Sequence, residues 1–116
     1  MIHAVSGTGL LPRAARLQSG AEFRRVFDQR QSCSNALFRI HHAPAERARL
    51  GMAVSRRVSP SAVVRNRIRR QIRETFRLAA ANLPPRDYVV LARHPAAAAS
   101  RAELREALNQ LWQRLT

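Results

Sequence analysis

The spacing of apolar positions changes along this chain, and each change marks an element. In "SGAEFRRVFDQ", Phe23, Val26 and Phe27 recur at i, i+3 and i+4, the period of one helix face. Ser19 precedes them, with Glu22 three residues on, the pairing of a capping box. A short amphipathic helix over about 20–29 is predicted. "ALFRIHH" and "RLGMAVSRR" alternate instead. Phe38 and Ile40 fall on one side with Arg39 and His41 on the other, and Leu50, Met52 and Val54 repeat at every second residue, the period of a strand. "APAERA" between them holds a proline and polar residues, so two antiparallel strands joined by a loop are expected.

The helical period returns after Ser59 and Pro60, which resemble an N-cap followed by proline at the first helical position. It runs until Pro84 and Pro85 stop it, predicting one long helix over about 60–82. "DYVVLAR" is apolar on consecutive positions between Pro85 and Pro95 and rich in β-favouring residues, which predicts a strand buried on both faces. Ser100 and Glu103 repeat the capping-box pattern ahead of Leu104, Leu108, Leu111, Trp112 and Leu115, one apolar stripe that packs a terminal helix on the sheet. The order is α-β-β-α-β-α, an α/β fold of the two-layer α-β sandwich kind around one main sheet. Residues 1–15, with Gly7, Gly9 and Pro12 and no period, read as a flexible basic N-terminal arm. Residues 16–116 read as a single domain, about what a chain of 116 residues can build around one core.

Charge changes this picture from a generic fold to a binding protein. Apolar residues make up 46% of the chain and charged ones 24%, values typical of a folded domain. Yet 21 basic residues face 7 acidic ones, a formal net charge of +14, and all 21 are arginine. Such a chain is drawn to polyanions. An arginine-only basic set suits phosphate, which guanidinium grips with a two-pronged fork, and it is also what a genome-wide compositional bias produces. Position decides between these. In Val63–Arg77, fifteen residues hold six arginines and one glutamate. At about 100° per residue, Val64, Ile68, Ile72, Thr75 and Ala79 cluster as a core face with Phe76 at its edge. Arg65, Asn66, Arg69, Arg70, Arg73 and Arg77 cover the adjoining arc, and Arg67 continues it. A solvated helix face normally mixes signs, whereas here Glu74 is the single acid, so a phosphate backbone is the economical counterion. Arg56 and Arg57 end the preceding strand, and the "VSPSAV" connection brings them to the start of the helix, whose amides add to an anion site. Phe23, Phe27 and Phe38 fit either a plain core or a groove in which unpaired bases stack beside arginine.

Other chemistry is poorly represented. The single cysteine, Cys33, excludes an internal disulfide and points to a reducing compartment, the cytoplasm. Cys33, His41 and His42 lack the paired spacing of a zinc site. The carboxylates are scattered, and no serine, cysteine or histidine stands in a nucleophile motif. No apolar run approaches the roughly 18 residues of a membrane span, and the N-terminus lacks the apolar segment of a secretory signal. A soluble protein with no membrane partner is expected, and any catalysis draws its reactive groups from elsewhere.

"AVVRNRIRRQIRETFR", Ala62 to Arg77, resembles the RNR signature of the protein subunit of bacterial ribonuclease P. "EFRRVF", "RLGMAVSRRV", "DYVVLAR" and "ALNQLWQRL" follow that family's order, so the resemblance covers about residues 16–115. It implies an α/β sandwich with a left-handed β-α-β crossover, against the usual right-handed rule. It also implies an RNA-binding role in which a catalytic RNA, with Mg2+, cuts precursor tRNA to give the mature 5′ end. The protein binds that ribonuclease P RNA and the single-stranded 5′ leader; no cofactor bound by its own side chains is expected, though the resemblance also implies metal sites near the RNA interface. By position, Arg65, Asn66, Arg67, Arg69, Arg70 and Arg73 face the RNA with Arg56 and Arg57 beside them. Phe23, Phe27 and Phe38 match the leader cleft, and His41 stands on the cleft strand where a tyrosine is expected. The alternative is a structural RNA-binding protein of the ribosomal type. A DNA-binding helix-turn-helix is disfavoured, because a strand and not a partner helix precedes the basic helix, and no DNA partner is expected.

Overall fold

Ser19 and Ser100 open helices by the same reciprocal bonding. The Ser19 hydroxyl accepts the Glu22 N–H at 3.2 Å while the Glu22 carboxylate accepts the Ser19 N–H at 3.1 Å, starting α1 (Gly20–Asp28). Ser100 and Glu103 do the same at 3.1 and 2.8 Å for α3 (Arg101–Leu115). Between them, α2 (Ala62–Ala79) is capped by Ser61, whose hydroxyl accepts the Val64 N–H at 3.3 Å. The start expected at Ser59 and Pro60 is displaced by two residues, because the Ser59 hydroxyl is engaged in a local turn, accepting the Ser61 N–H at 3.1 Å. At its far end α2 tightens into a 3₁₀ turn, Ala80–Asn82, ahead of the two prolines. The computed structural model describes residues 12–116, so most of the arm expected over 1–15 lies outside the described residues. Its last part is structured: Arg13–Ala15 form a 3₁₀ turn, and the Leu17 N–H donates to Leu50 O at 2.9 Å.

Four strands, β1 (Ser32–Ser34), β2 (Phe38–Pro44), β3 (Arg49–Ala53) and β4 (Arg86–Ala92), form one sheet in the order β1-β2-β4-β3. The expected helix–strand order is present with one addition, β1, whose "SCS" carries no periodic signal and is defined by its pairing, Cys33 opposite Ile40. The expected pairing of β2 with β3 is not found. Instead β4 lies between them, antiparallel to β2 and parallel to β3. Tyr88, Val89 and Val90 are fully buried, and only the centre of a sheet covers both faces of such a strand while satisfying its backbone on both edges. The four-residue link 45–48 steps over it easily, since two strand spacings are about 9.6 Å and four extended residues reach about 13 Å. β3, α2 and β4 thus form the parallel β-α-β crossover.

The alternation along the strands divides two cores. Phe38, Ile40, Leu50, Tyr88 and Val90 meet Ile68, Ile72 and Phe76 of α2 and Leu104, Leu108, Leu111 and Trp112 of α3. Trp112 Nε1 donates to the Thr75 hydroxyl at 3.0 Å, joining the two helices. On the opposite face Ala43 and Val89 pack with Leu17 and Val26 and the half-buried Phe23, Phe27 and Leu91. That second core is small, and α1 is tied down by charge as well. Asp87 is fully buried and accepts from Arg49 Nε at 2.8 Å and Nη2 at 2.9 Å. Arg25 of α1 donates to the same carboxylate, and Arg49 Nη1 donates to Glu22 of α1 at 2.8 Å.

Replacing Asp87 by alanine leaves Arg25 and Arg49 facing each other with Glu22 as their remaining acid. A loss of about 2–3 kcal/mol is expected, below the ~3–5 kcal/mol of a fully enclosed broken pair, because the Arg49 and Arg25 side chains keep 27% and 45% of their surface in water. The urea midpoint of Asp87→Ala measures this; an unchanged midpoint at unchanged slope would exclude the clamp.

Candidate RNA interface

The buried stripe of α2 consists of Ile68, Gln71, Ile72, Thr75 and Phe76, and Val64 and Ala79, expected on it, are half-buried at its two ends. Gln71 joins the stripe where α3 crosses, accepting from Arg105 Nε at 3.3 Å. On the remaining arc Asn66, Arg70 and Arg77 are exposed, and Arg65, Arg67, Arg69 and Arg73 are half-buried. Arg65 Nη1 donates to Ser59 O at 3.0 Å and Arg69 Nη2 to Val54 O at 3.3 Å. These two arginines brace the β3–α2 connection, which carries the exposed Arg56 and Arg57. Arg69 Nη1 also donates to Asn66 Oδ1 at 3.0 Å, which orients the amide within the row.

Opposite charge is scarce on this surface. Glu74 is engaged by Arg77 at 2.7 Å, and among the described residues no other α2 arginine has a carboxylate within salt-bridge distance. Burial, reinforced by the positive charges of Arg70 and Arg69, pushes the pKa of Arg73 down from its ordinary value; the group remains charged, and the shift registers the crowding. Nε of Arg67 and Nε of Arg73 are enclosed without a partner. A chain of anionic oxygens along this arc would relieve the repulsion.

The other face of the sheet carries a half-buried aromatic surface beside α1. Phe27 and His41 meet edge to face with ring centroids 4.9 Å apart and planes at 89°. Phe23 lies against Gly51, where an added Cβ would stand 2.7 Å from its Cζ and 3.1 Å from Leu17 Cδ1. Gly51 was not singled out from the sequence, although a glycine inside an alternating strand signals close approach of another element. Register adds Ser32 opposite His41 and Ser34 opposite the exposed Arg39. Burial first, and then Arg39, lower the pKa of His41, which keeps its ring neutral at neutral pH, and its Nδ1 is enclosed without a partner. Phe38 does not belong to this surface. It is fully buried on the α2 and α3 side, and the alternation that separates Phe38 from His41 requires this, since successive side chains of a strand point to opposite faces. Among the described residues no group of three or more His, Cys, Asp or Glu could hold a metal ion, and no helix is long and apolar enough to cross a membrane.

A crossover helix with an unneutralised arginine arc, opposite a half-buried aromatic surface on the same sheet, defines an RNA-binding α/β protein. The family model described as Ribonuclease P matches residues 11–116, and the chain belongs to that family. The Ribonuclease P protein component of Xylella fastidiosa is 46% identical over 105 residues, covering 90% of this chain and 78% of the relative. That of Methylococcus capsulatus is 44% identical over 119 residues, covering 100% and 93%. Among solved structures, a Staphylococcus aureus RNase P protein superposes with a TM-score of 0.82 at 28% identity, over 88% of this chain and 95% of that one. A Thermotoga maritima RNase P protein, solved in complex with 1-(4-fluorophenyl)-2-thiourea, gives 0.78 at 28% identity, over 87% and 100%. The chain is therefore a protein component of a tRNA-processing ribonucleoprotein endonuclease, with ribonuclease P RNA as its partner. The ribosomal-type alternative is not favoured.

The seat of Phe23 on Gly51 is testable. Gly51→Ala should cost about 1–3 kcal/mol through overpacking, read from the thermal unfolding midpoint, and Phe23→Leu in the same chain should recover part of the loss. A single variant that melts like the parent would show that α1 is not seated there.

Proposed function

We propose that the two faces of the sheet divide one task. The α2 arc, with Arg56, Arg57, Arg65, Asn66, Arg67, Arg69, Arg70 and Arg73, docks on the phosphates of ribonuclease P RNA. The cleft of Phe23, Phe27 and His41 holds the single-stranded 5′ leader of precursor tRNA. The observation that carries this reading is the run of α2 arginines without carboxylate partners, which favours release of condensed counterions from RNA as the source of affinity. The cleft suits unpaired bases, because a base stacked on an aromatic ring contributes about 1–3 kcal/mol and a duplex keeps its base faces to itself. DNA duplex is not the intended partner, since β3 and not a partner helix precedes α2.

Cleavage itself is assigned to the RNA. Among the described residues donors for Mg2+ do not converge: Asp87 is sealed by Arg49 and Arg25, Glu74 is engaged by Arg77, and Glu22 and Glu103 cap helices. The residues present do not fit a catalytic metal, and the protein's contribution is to hold both RNAs in register while the mature 5′ end is formed. A lone cysteine that forms no disulfide accords with action in the reducing cytoplasm.

The decisive measurement is cleavage of precursor tRNA by a bacterial ribonuclease P RNA at low Mg2+, with and without this protein and with protein alone. Activity should require both components; activity from protein alone would overturn the assignment of catalysis to RNA. Arg70→Ala and Arg73→Ala should each weaken binding to the RNA and flatten the plot of log K against log salt by about 0.7–0.9 per lost phosphate contact. An unaltered slope in both variants would remove the docking role from α2.

A further inference from the structure

Among the described residues Arg30 is the one non-glycine residue with positive φ, at 53°. It follows the last turn of α1, after Asp28 and the C-cap Gln29, and its N–H donates to Phe27 O at 3.0 Å. This is where helices commonly end in a left-handed residue, and glycine is the residue that adopts that backbone without a clash at Cβ. Arginine adopts it only under strain. Its side chain is exposed and makes no hydrogen bond or ion pair among the described residues that would offset the strain. A cation does interact favourably with the C-terminal end of a helix, but an arginine at position 29, where φ is −71°, would have the same benefit on a relaxed backbone. Folding therefore does not account for an arginine at this position.

Its surroundings do. Arg30 is bonded to the backbone of Phe27, and Phe27 meets His41 in the cleft. Two residues on, Ser32 lies across from His41, and Gln31 O accepts the His42 N–H at 3.0 Å. The strained turn thus sits at the end of the Phe27–His41 pair, where the chain passes from α1 into the sheet. We propose that Arg30 is a phosphate clamp of the cleft, gripping the backbone phosphate next to the nucleotide whose base stacks on Phe27. The proposal rests on the cleft being the leader site. Strain held at such a position is the kind that persists when a side chain is needed where the backbone is unsuited to it.

The test compares Arg30→Gly, Arg30→Lys and Phe27→Ala in holoenzyme reconstituted with ribonuclease P RNA, measuring affinity for precursor and mature tRNA across a salt series. Arg30→Gly should lose about two- to fivefold in precursor affinity, as for one exposed ion pair, with mature tRNA unaffected. The salt slope for precursor should flatten by about 0.7, as for one phosphate of a single strand. Arg30→Lys should restore most of the affinity and slope, and the urea midpoint of Arg30→Gly should not fall. If Phe27→Ala weakens precursor selectively while Arg30→Gly changes neither affinity nor slope, the clamp is wrong and the cleft stands. If Phe27→Ala weakens both tRNAs equally, the leader site itself is wrong and the clamp falls with it. A lowered midpoint in Arg30→Gly, or equal loss for both tRNAs, would return Arg30 to a structural role.

Discussion

Asp87 has no surface in water, and an isolated carboxylate so enclosed costs a large part of a domain's stability. It has to be met by guanidinium groups, and the two that reach it come from different layers: Arg49 from the neighbouring strand β3 and Arg25 from α1 on the sheet face. Meeting that requirement places three elements at once. β4 lies beside β3, α1 lies across the strands at a fixed height, and Glu22, the residue that caps α1, is drawn into the same cluster through Arg49. The apolar contact beneath α1 consists of four buried residues and a few half-buried ones, so the ion cluster carries a share of the attachment that a larger core would otherwise supply.

The two working surfaces follow from that arrangement. α1 is held close over Gly51, and Phe23 and Phe27 are only half-buried on the face that carries His41 and Arg39. Because β4 occupies the centre of the sheet, α2 crosses the opposite face and turns its arginine arc away from the core. The sheet thus puts the proposed docking arc and the proposed leader surface on opposite faces, with no side chain in common. A net charge of +14 makes the protein repel itself while it strengthens both attractions.

The helices were legible in the sequence almost to the residue, because their determinants are local. Ser19 with Glu22 and Ser100 with Glu103 cap by contacts three residues apart, and the stripe of Ile68, Ile72 and Phe76 repeats within one element. The exception was the start of α2, where Ser59 and Ser61 offer equivalent caps and the turn around Pro60 chooses between them. The strands were legible as strands but not as a sheet. Periodicity reports which face a side chain takes and is silent about which strand lies alongside, so β4 between β2 and β3 was invisible, as was β1.

By itself the sequence determined the class of fold, the basic helix and the polyanionic partner, since composition, capping and period are properties of neighbouring residues. Tertiary structure alone decided which aromatic residues share a surface. The alternation of β2 already sets Phe38 opposite His41, but only packing buries that face under α2 and α3 and brings Phe23 and Phe27 of α1 to the His41 side. It also decided that Asp87 is enclosed, that Gly51 lies under a ring, and that Arg30 takes a left-handed backbone beside the cleft. The first two depend on contacts between residues far apart in the chain, and no local pattern records such contacts; the third places a strained local turn where the folded chain brings His41 beside Phe27.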